Sequence, residues 1–411
     1  MTRTAKSISE VVTSGLCIGC GLCEAITERR VQMTMTPLGG LRPDSVGTFT
    51  SEEEDRLLSC CPGVVARARP QTDVAQDMIW GHHSTMRYAW AGAPEVRFKS
   101  ATGGVLSALG MHLVESGTVD FVLHVAPDPD HPMRSTWVMS ETAQDVLDHA
   151  GSRYGPTAPL AGFMTALERG QPFAIIAKPC DVGAVHALSR VDGRVDQLCV
   201  ARLVMVCGGQ SRLGKSQKLL DEFGLEEDEL SLFRYRGHGN PGLTTVETKD
   251  GRKFEKTYQE LWEDEGSWEL ETRCKLCPDA LGEAADIAAA DVWPGGGPIG
   301  EDEGFNGIIV RSPAGEALIE SAESAGRLML SGVITPREFD DFQPHQVRKK
   351  HAVLARLTGL SQAGFPTIDM QGLRLEELDA QLQTEARATQ ISGIKERIVS
   401  GRIGEPLPEK E

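Results

Sequence analysis

FAIIAKPC, residues 173–180, and RLVMVC, residues 202–207, decide the fold. Each reads as a buried strand that closes on a cysteine. Working outward, FVLHVA (121–126) and GIIVRS (307–312) read as further strands. GGVLSALGMHLVESG (103–117) reads as an apolar-faced helix stopped by Gly117, and GEALIESAESAGRL (315–328) as another helix. LTTVETKDGRKFEKTY (243–258) predicts a hairpin turning at Asp250-Gly251. Strands alternating with helices give a mixed α/β core.

Composition narrows the class. The 411 residues allow two or three domains, and 40% hydrophobic with 25% charged residues is a globular balance, neither disordered nor collagen-like. No apolar run approaches the ~20 residues of a membrane-spanning helix. With 42 Lys+Arg against 59 Asp+Glu, the net charge of −17 repels a nucleic-acid backbone and favours partners with basic patches. Ten cysteines are too sparse for a disulfide scaffold, and MTRTAKSISEVV lacks a signal-peptide core. A reducing, cytoplasmic setting is expected, with clustered cysteines acting as metal ligands or catalytic groups.

Cys17-x-x-Cys20-x-x-Cys23 is the sharpest motif. Three thiolates at this spacing can hold three corners of an iron–sulfur cube, while Gly19 and Gly21 let the backbone turn closely. Cys61-Pro62 supplies the fourth ligand; adjacent Cys60 competes, and Cys61 is preferred for the proline that follows it. Zinc sites use two separated C-x-x-C pairs more often than a triple run. Cys274-x-x-Cys277 is less specific: redox pair, zinc site or half a cluster site. Cys180 and Cys207, at two strand ends, complete a set of four or are simply buried small side chains. Cys199 is read as core. Gly209–Ser216 fits the phosphate-loop pattern between a strand and a helix, and keeps a P-loop nucleotide-binding protein as a minor alternative. IAAAD, ending at Asp291, looks too weak for its magnesium strand. Gly237–Gly242 fits G-x-G-x-x-G but precedes a hairpin, so it is no dinucleotide site.

SATGGVLSAL (100–109), GSRYGP (151–156), AKPCD (177–181), RYRG (234–237) with NPG (240–242), CKLCPDALGEAADIAAADVW (274–293) and FNGIIVRSPAGEALIE (305–320) occur in this order. With them the chain resembles the coenzyme F420 hydrogenase/dehydrogenase beta-subunit family, which includes 7-hydroxymethyl chlorophyll a reductase. The resemblance spans about residues 10–360. It implies FAD and two 4Fe–4S clusters, one on Cys180, Cys207, Cys274 and Cys277, the other on Cys17, Cys20, Cys23 and Cys61. The organisation then expected is a ferredoxin-like module (1–65), a linker (66–85), a flavin- and cluster-binding core in two parts (86–170 and 171–340) and a helical tail (341–411) that covers the core or mediates a homo-oligomer.

Chemistry and resemblance together select the flavin contacts. Ser100, Thr102, Gly103 and Gly104 open a helix whose N–H groups suit a pyrophosphate. Ser152 and Tyr154 lie in the polar loop with Arg153; Arg153, Lys178 or Arg236 can stabilise a reduced ring. Asn306 enters by motif match. The function expected is an iron–sulfur flavoprotein oxidoreductase. It passes electrons from ferredoxin or another redox protein through the clusters to FAD, and hydride to or from a small organic substrate. The alternative is the electron-transfer beta subunit of a larger hydrogenase or dehydrogenase.

Overall fold

A computed structural model of the chain describes residues 3–44, 49–70, 74–262 and 269–404. Near the N-terminus β1 (Met33–Met35) and β2 (Leu41–Pro43) form an antiparallel hairpin. β3 (Val65–Arg67), β4 (Ala75–Asp77) and β5 (Gly81–His83) follow. Next come β6 (Thr85–Ala91), β7 (Phe121–Pro127), β8 (Ser135–Ser140), β9 (Phe173–Ala177) and β10 (Cys199–Met205). β11 (Leu230–Arg234), β12 (Thr244–Thr248) and β13 (Lys253–Lys256) make a separate antiparallel sheet, the last two being the hairpin expected at Asp250-Gly251. β14 (Ile287–Asp291), β15 (Asn306–Val310), β16 (Leu328–Val333) and β17 (Asp369–Gln371) complete the strands.

Eight of them form one mixed sheet in the order β16-β6-β15-β14-β10-β9-β7-β8. The central β14, β10, β9 and β7 run parallel, and the outer pairings are antiparallel. Alternating side chains of the central strands feed two cores. Phe173, Ile175, Val204 and Ala288 join one face; Ala174, Leu203, Ile287 and Ile308 join the other. Helices Val105–Glu115 and Pro313–Ser324 cover the second face. Helices Pro179–Leu188 and Pro344–Gln362 lie over the first. Phe121, Phe173 and Leu203 are completely buried, each contributing roughly 1.5–3 kcal/mol.

Three expectations about organisation change. The stretch 66–85, expected as a linker, is built into the fold: it carries β4 and β5, and Trp80 within it is fully buried. The Trp80 ring packs 4.9 Å from Phe339 and its Nε1 donates to Asp340 at 2.9 Å. One anchoring indole holds an otherwise polar segment. The first 65 residues are not a separate module, because Ile8, Val11 and Leu16 share a single core with Phe173 and Leu357. The boundary expected at 170 runs between strands of the main sheet. The tail covers the core: Val353 and Leu357 are buried, and β17 pairs in parallel with β3. EPLPEKE, at its end, lies outside the described residues. Among the described residues no helix is long and apolar enough to cross a membrane.

Candidate redox site

The parallel register sets the site. Val204 pairs with Ala177 and Met205 with Ala289, so β9, β10 and β14 end on one edge of the sheet. Loops leaving that edge meet in space. Lys178, Pro179 and Cys180 follow β9; Val206 and Cys207 follow β10. Pro179 is the first residue of its helix, where its missing N–H costs nothing. The short helix Thr272–Lys275 delivers the late pair. Two bonds fasten it to the exit of β10: Cys207 N–H donates to the Ala280 carbonyl at 2.9 Å, and Gln210 N–H to Cys274 Sγ at 3.2 Å. Cys180, Cys207, Cys274 and Cys277 therefore line one small cavity, beside Lys178 and Arg273.

The N-terminal thiols gather by a different route. Cys17 and Cys20 lie between helices Ile8–Thr13 and Leu22–Ile26, and Cys23 is in the second. Gly21 turns there at φ +91°, and a Cβ on it would meet Ala161 N at 2.6 Å. Cys61 caps the C-terminus of helix Ser51–Cys60. Burial, then the neighbouring thiols Cys61, Cys20 and Cys17, push the Cys23 thiol far up. Burial and Cys17 push Cys61 up to about 12. In the second quartet, burial and Cys207 push Cys274 up to about 12. Burial thus keeps these thiols protonated, and a bound cation would favour their ionised form. Cys60 is different: it is fully buried and its Sγ donates to the Arg56 carbonyl at 3.1 Å within its own helix. Cys199 lies in the core of β10. All ten cysteines are free thiols.

Side chains span the gap between the quartets. The buried Arg273 guanidinium donates through Nε at 2.9 Å and Nη2 at 2.7 Å to the carbonyl of Pro62, next to Cys61. Burial works against its charge, while Cys277 and Cys180 hold it protonated. Gln210 binds Cys274 through its N–H and donates Nε2 to the Ile18 carbonyl, inside the Cys17–Cys20 loop, at 3.1 Å. Lys178 pairs with the buried Asp181 at 2.9 Å and also bonds Thr157.

The expected flavin contacts separate into two groups. Thr102, Tyr154 and Arg236 come together: Arg236 Nη2 donates to Thr102 Oγ1 at 3.1 Å, and Nη1 to Tyr154 OH at 3.5 Å. Arg236 also pairs with Asp291, the end of β14, at 3.3 Å, and Thr102 bonds the same carboxylate. Asp291 and Tyr154 lift Arg236 above the usual guanidinium range against the opposing effect of burial. Trp293 lies 4.8 Å and Tyr258 5.3 Å from its guanidinium. Ser152 lies in the same polar loop as Tyr154 and bonds it. Ser100 Oγ is buried nearby in the chain with no partner among the described residues.

The remaining residues hold structural bonds, although Gly103, next to Thr102, and Asn306, opposite Asp291 in the sheet, adjoin the Arg236 group. Arg153 donates to the carbonyls of Pro132, Met133, Arg134 and Phe233 and to Ser135, so its guanidinium is spent on loops and faces no ring site. Asn306 accepts from Val105 N–H at 3.3 Å and donates to the Ala290 carbonyl at 3.1 Å, acting as a clamp between helix and sheet. Gly103 is required there, because a Cβ would stand 2.9 Å from Asn306. Gly104 precedes the helix at φ +73°. Lys178 belongs to the second cysteine cavity.

The phosphate-loop alternative fails on its amides. Such a loop keeps N–H groups free for an anion. Here Gln210, Ser211, Arg212 and Leu213 donate to Cys274 Sγ, Tyr154 O, Glu269 O and Gly39 O. Ser216 is buried against Tyr235 OH.

Residues 86–164 match the family described as the N-terminal part of the coenzyme F420 hydrogenase/dehydrogenase beta subunit, and residues 170–335 match the one described as its C terminus. The chain belongs to the coenzyme F420 hydrogenase/dehydrogenase beta-subunit family. It is 28% identical over 243 residues to the F420-dependent formate dehydrogenase 1 subunit beta of Methanococcus maripaludis, covering 59% of this chain and 60% of that one. Identity is 23% over 331 residues to the coenzyme F420-dependent sulfite reductase of Methanocaldococcus jannaschii, covering 77% of this chain and 47% of the relative. The coenzyme F420 hydrogenase subunit beta of Methanococcus voltae is 23% identical over 280 residues, covering 65% and 89%. The chain thus spans less than two thirds of the first two relatives. A chain of the F420-reducing NiFe hydrogenase complex from Methanosarcina barkeri shares the fold, with a TM-score of 0.54 at 17% identity, covering 69% of this chain and 96% of that one.

Within this beta-subunit fold, sequence reasoning missed Arg273, Gln210, Asp291 and Trp293. Asp291 and Trp293 lie inside the stretch CKLCPDALGEAADIAAADVW. Asp291 ends a strand that is central, not weak: Ala288, Ala289 and Ala290 are all buried. Arg273 adjoins Cys274, the one signal that pointed to it.

Proposed function

We propose that this chain is the electron-transfer subunit of a larger oxidoreductase working with coenzyme F420. It carries 4Fe–4S clusters on the two cysteine quartets and FAD near the Arg236 cluster. The observation that supports this reading most is the pair of bridges, Arg273 and Gln210, that tie one quartet to the other. Two redox centres held by shared side chains suit a relay.

The residues fit the groups they would hold. Four free thiols face one cavity beside two cations, Lys178 and Arg273, that offset thiolate charge. Among the described residues no three His, Cys, Asp or Glu side chains gather for one metal ion. For the flavin, Arg236 supplies charge, Trp293 and Tyr258 supply apolar faces, and Ser100 Oγ is an unused buried donor. When bound, the clusters carry single electrons and the flavin exchanges them in pairs. Arg273 keeps a fixed positive charge between the quartets. Asp291 orients Arg236, and the Tyr154 hydroxyl beside it holds a proton for exchange.

The reading is tested by anaerobic purification from the native host, with iron, sulfide and flavin measured per chain. About eight irons, one flavin and co-purifying subunits are expected. Fewer than about six irons ends the two-cluster assignment, and absent flavin ends the FAD assignment. The second reading, a reductase fed by ferredoxin that passes hydride to a small organic substrate, uses the same wiring; the aromatic rings beside Arg236 favour it. A chain that purifies alone and turns over substrate selects that reading.

A further inference from the structure

A second cavity, of about 340 Å³, opens where helices Pro344–Gln362 and Thr384–Val399 meet the late-cysteine turn. It shares Cys274 and Lys349 with the cavity of the second quartet. Its polar lining is Lys275, His345, Arg348, Lys349, Arg356 and Gln390, with no carboxylate among the lining residues. That is unusual in a chain of net charge −17. Several buried cations elsewhere have acids beside them, as Arg236 has Asp291 and Lys350 has Glu283.

Here they do not. Lys349 Nζ donates only to the carbonyls of Gly208 at 2.9 Å and Cys207 at 3.4 Å. Arg356 donates to Gln390 Oε1 and to the Lys275 carbonyl, both at 2.8 Å. Among the described residues no carboxylate forms an ion pair with Lys275, Arg348, Lys349 or Arg356. Burial pulls Arg356 below the usual guanidinium range, so its charge is partly stripped of water. Like charges crowded in a recess repel, and an anion entering it relieves that repulsion.

We propose that this recess is a binding site for a small multivalent oxyanion, a molecule bearing phosphate or carboxylate groups. Arg348 and Arg356 offer planar forks for bidentate contact, and Lys275 and Lys349 offer point charges. The volume suits a ligand of nucleotide size. A flat protein face fits less well, because Lys275, His345, Lys349 and Arg356 are half-buried and only Arg348 is exposed.

The test titrates the full chain, as purified, with inorganic pyrophosphate and separately with tricarballylate, by calorimetry at constant ionic strength. Saturable binding of one molecule per chain is expected for at least one probe, and the tighter one identifies phosphate or carboxylate as the preferred group. Heats no different from added chloride overturn the proposal. Arg348→Gln, an exposed change, and Arg356→Gln are each expected to weaken binding about tenfold, a loss of about 1.4 kcal/mol; unchanged affinity in both overturns it. Acetylation with and without pyrophosphate is read by mass spectrometry: Lys275 and Lys349 should be protected, and protection confined to other lysines places the anion elsewhere. These measurements read anion binding and not electron flow, so their failure leaves the redox proposal standing.

Discussion

Arg273 makes one residue answer to both cysteine groups. Replacing it by Gln removes a buried cation and leaves the Pro62 carbonyl short of two bonds, a cost of about 3 kcal/mol. Its loss should also make both redox centres harder to reduce. Arg273→Lys keeps the charge and should keep most of the potential while losing the fork. Redox titration followed by electron paramagnetic resonance checks this; equal potentials in parent and Arg273→Gln would deny Arg273 its electrostatic part. The adjacent cysteines give a sharper contrast. Cys61→Ser should lose about half of the iron, whereas Cys60→Ser should keep it, since Cys60 already bonds Arg56 in its helix; iron analysis decides. At this scale local spacing is what the sequence displays: the Cys17–Cys20–Cys23 run and Cys61-Pro62 stand out as a candidate ligand pattern without any structure. Contacts such as Arg273 to Pro62, 211 residues apart, leave no local trace. Arg153 shows the converse, since nothing in GSRYGP distinguishes a guanidinium that faces a ligand from one that holds carbonyls.

The strands that place the site are short but doubly buried. FAIIAKPC and RLVMVC were readable because their apolar runs end sharply at a cysteine. IAAAD was not, because alanine carries little strand preference; its three buried alanines sit where the two cores press closest to the sheet. β4 and β5 are hard to read because each has three residues and their paired positions lie four to eight residues apart in a polar stretch. The central strand is the place to test the load. Leu203 in β10 is completely buried between β9 and β14, and Leu203→Ala should cost about 2–5 kcal/mol, measured by urea unfolding. Less than 1 kcal/mol would mean the main sheet does not hold the cysteine loops in register.

Across the whole molecule, buried histidines set an acid limit. Burial, with His149 beside it, pulls His124 down to about 4; burial, with Arg69 and Arg202, does the same to His186. Both are bases whose folded pKa lies below the ordinary 6.5, so the unfolded chain takes up protons first. Their stabilisation is full above pH 6.5 and is lost as pH falls toward 4. The urea midpoint, followed by tryptophan fluorescence, should drop through that window, and His124→Gln should flatten part of the slope; a flat profile in the parent would contradict the burial of these rings. The pairing of β3 with β17 has a consequence of another kind. Val65 lies against Asp369, and Thr367 N–H donates to the Arg3 carbonyl at 2.8 Å. Arg67 and Asp369, which these two strands bring together, stand 302 residues apart. Every strand of the large sheet lies between them in the chain, so on the ribosome β3 can meet its mate only after that whole sheet has been translated.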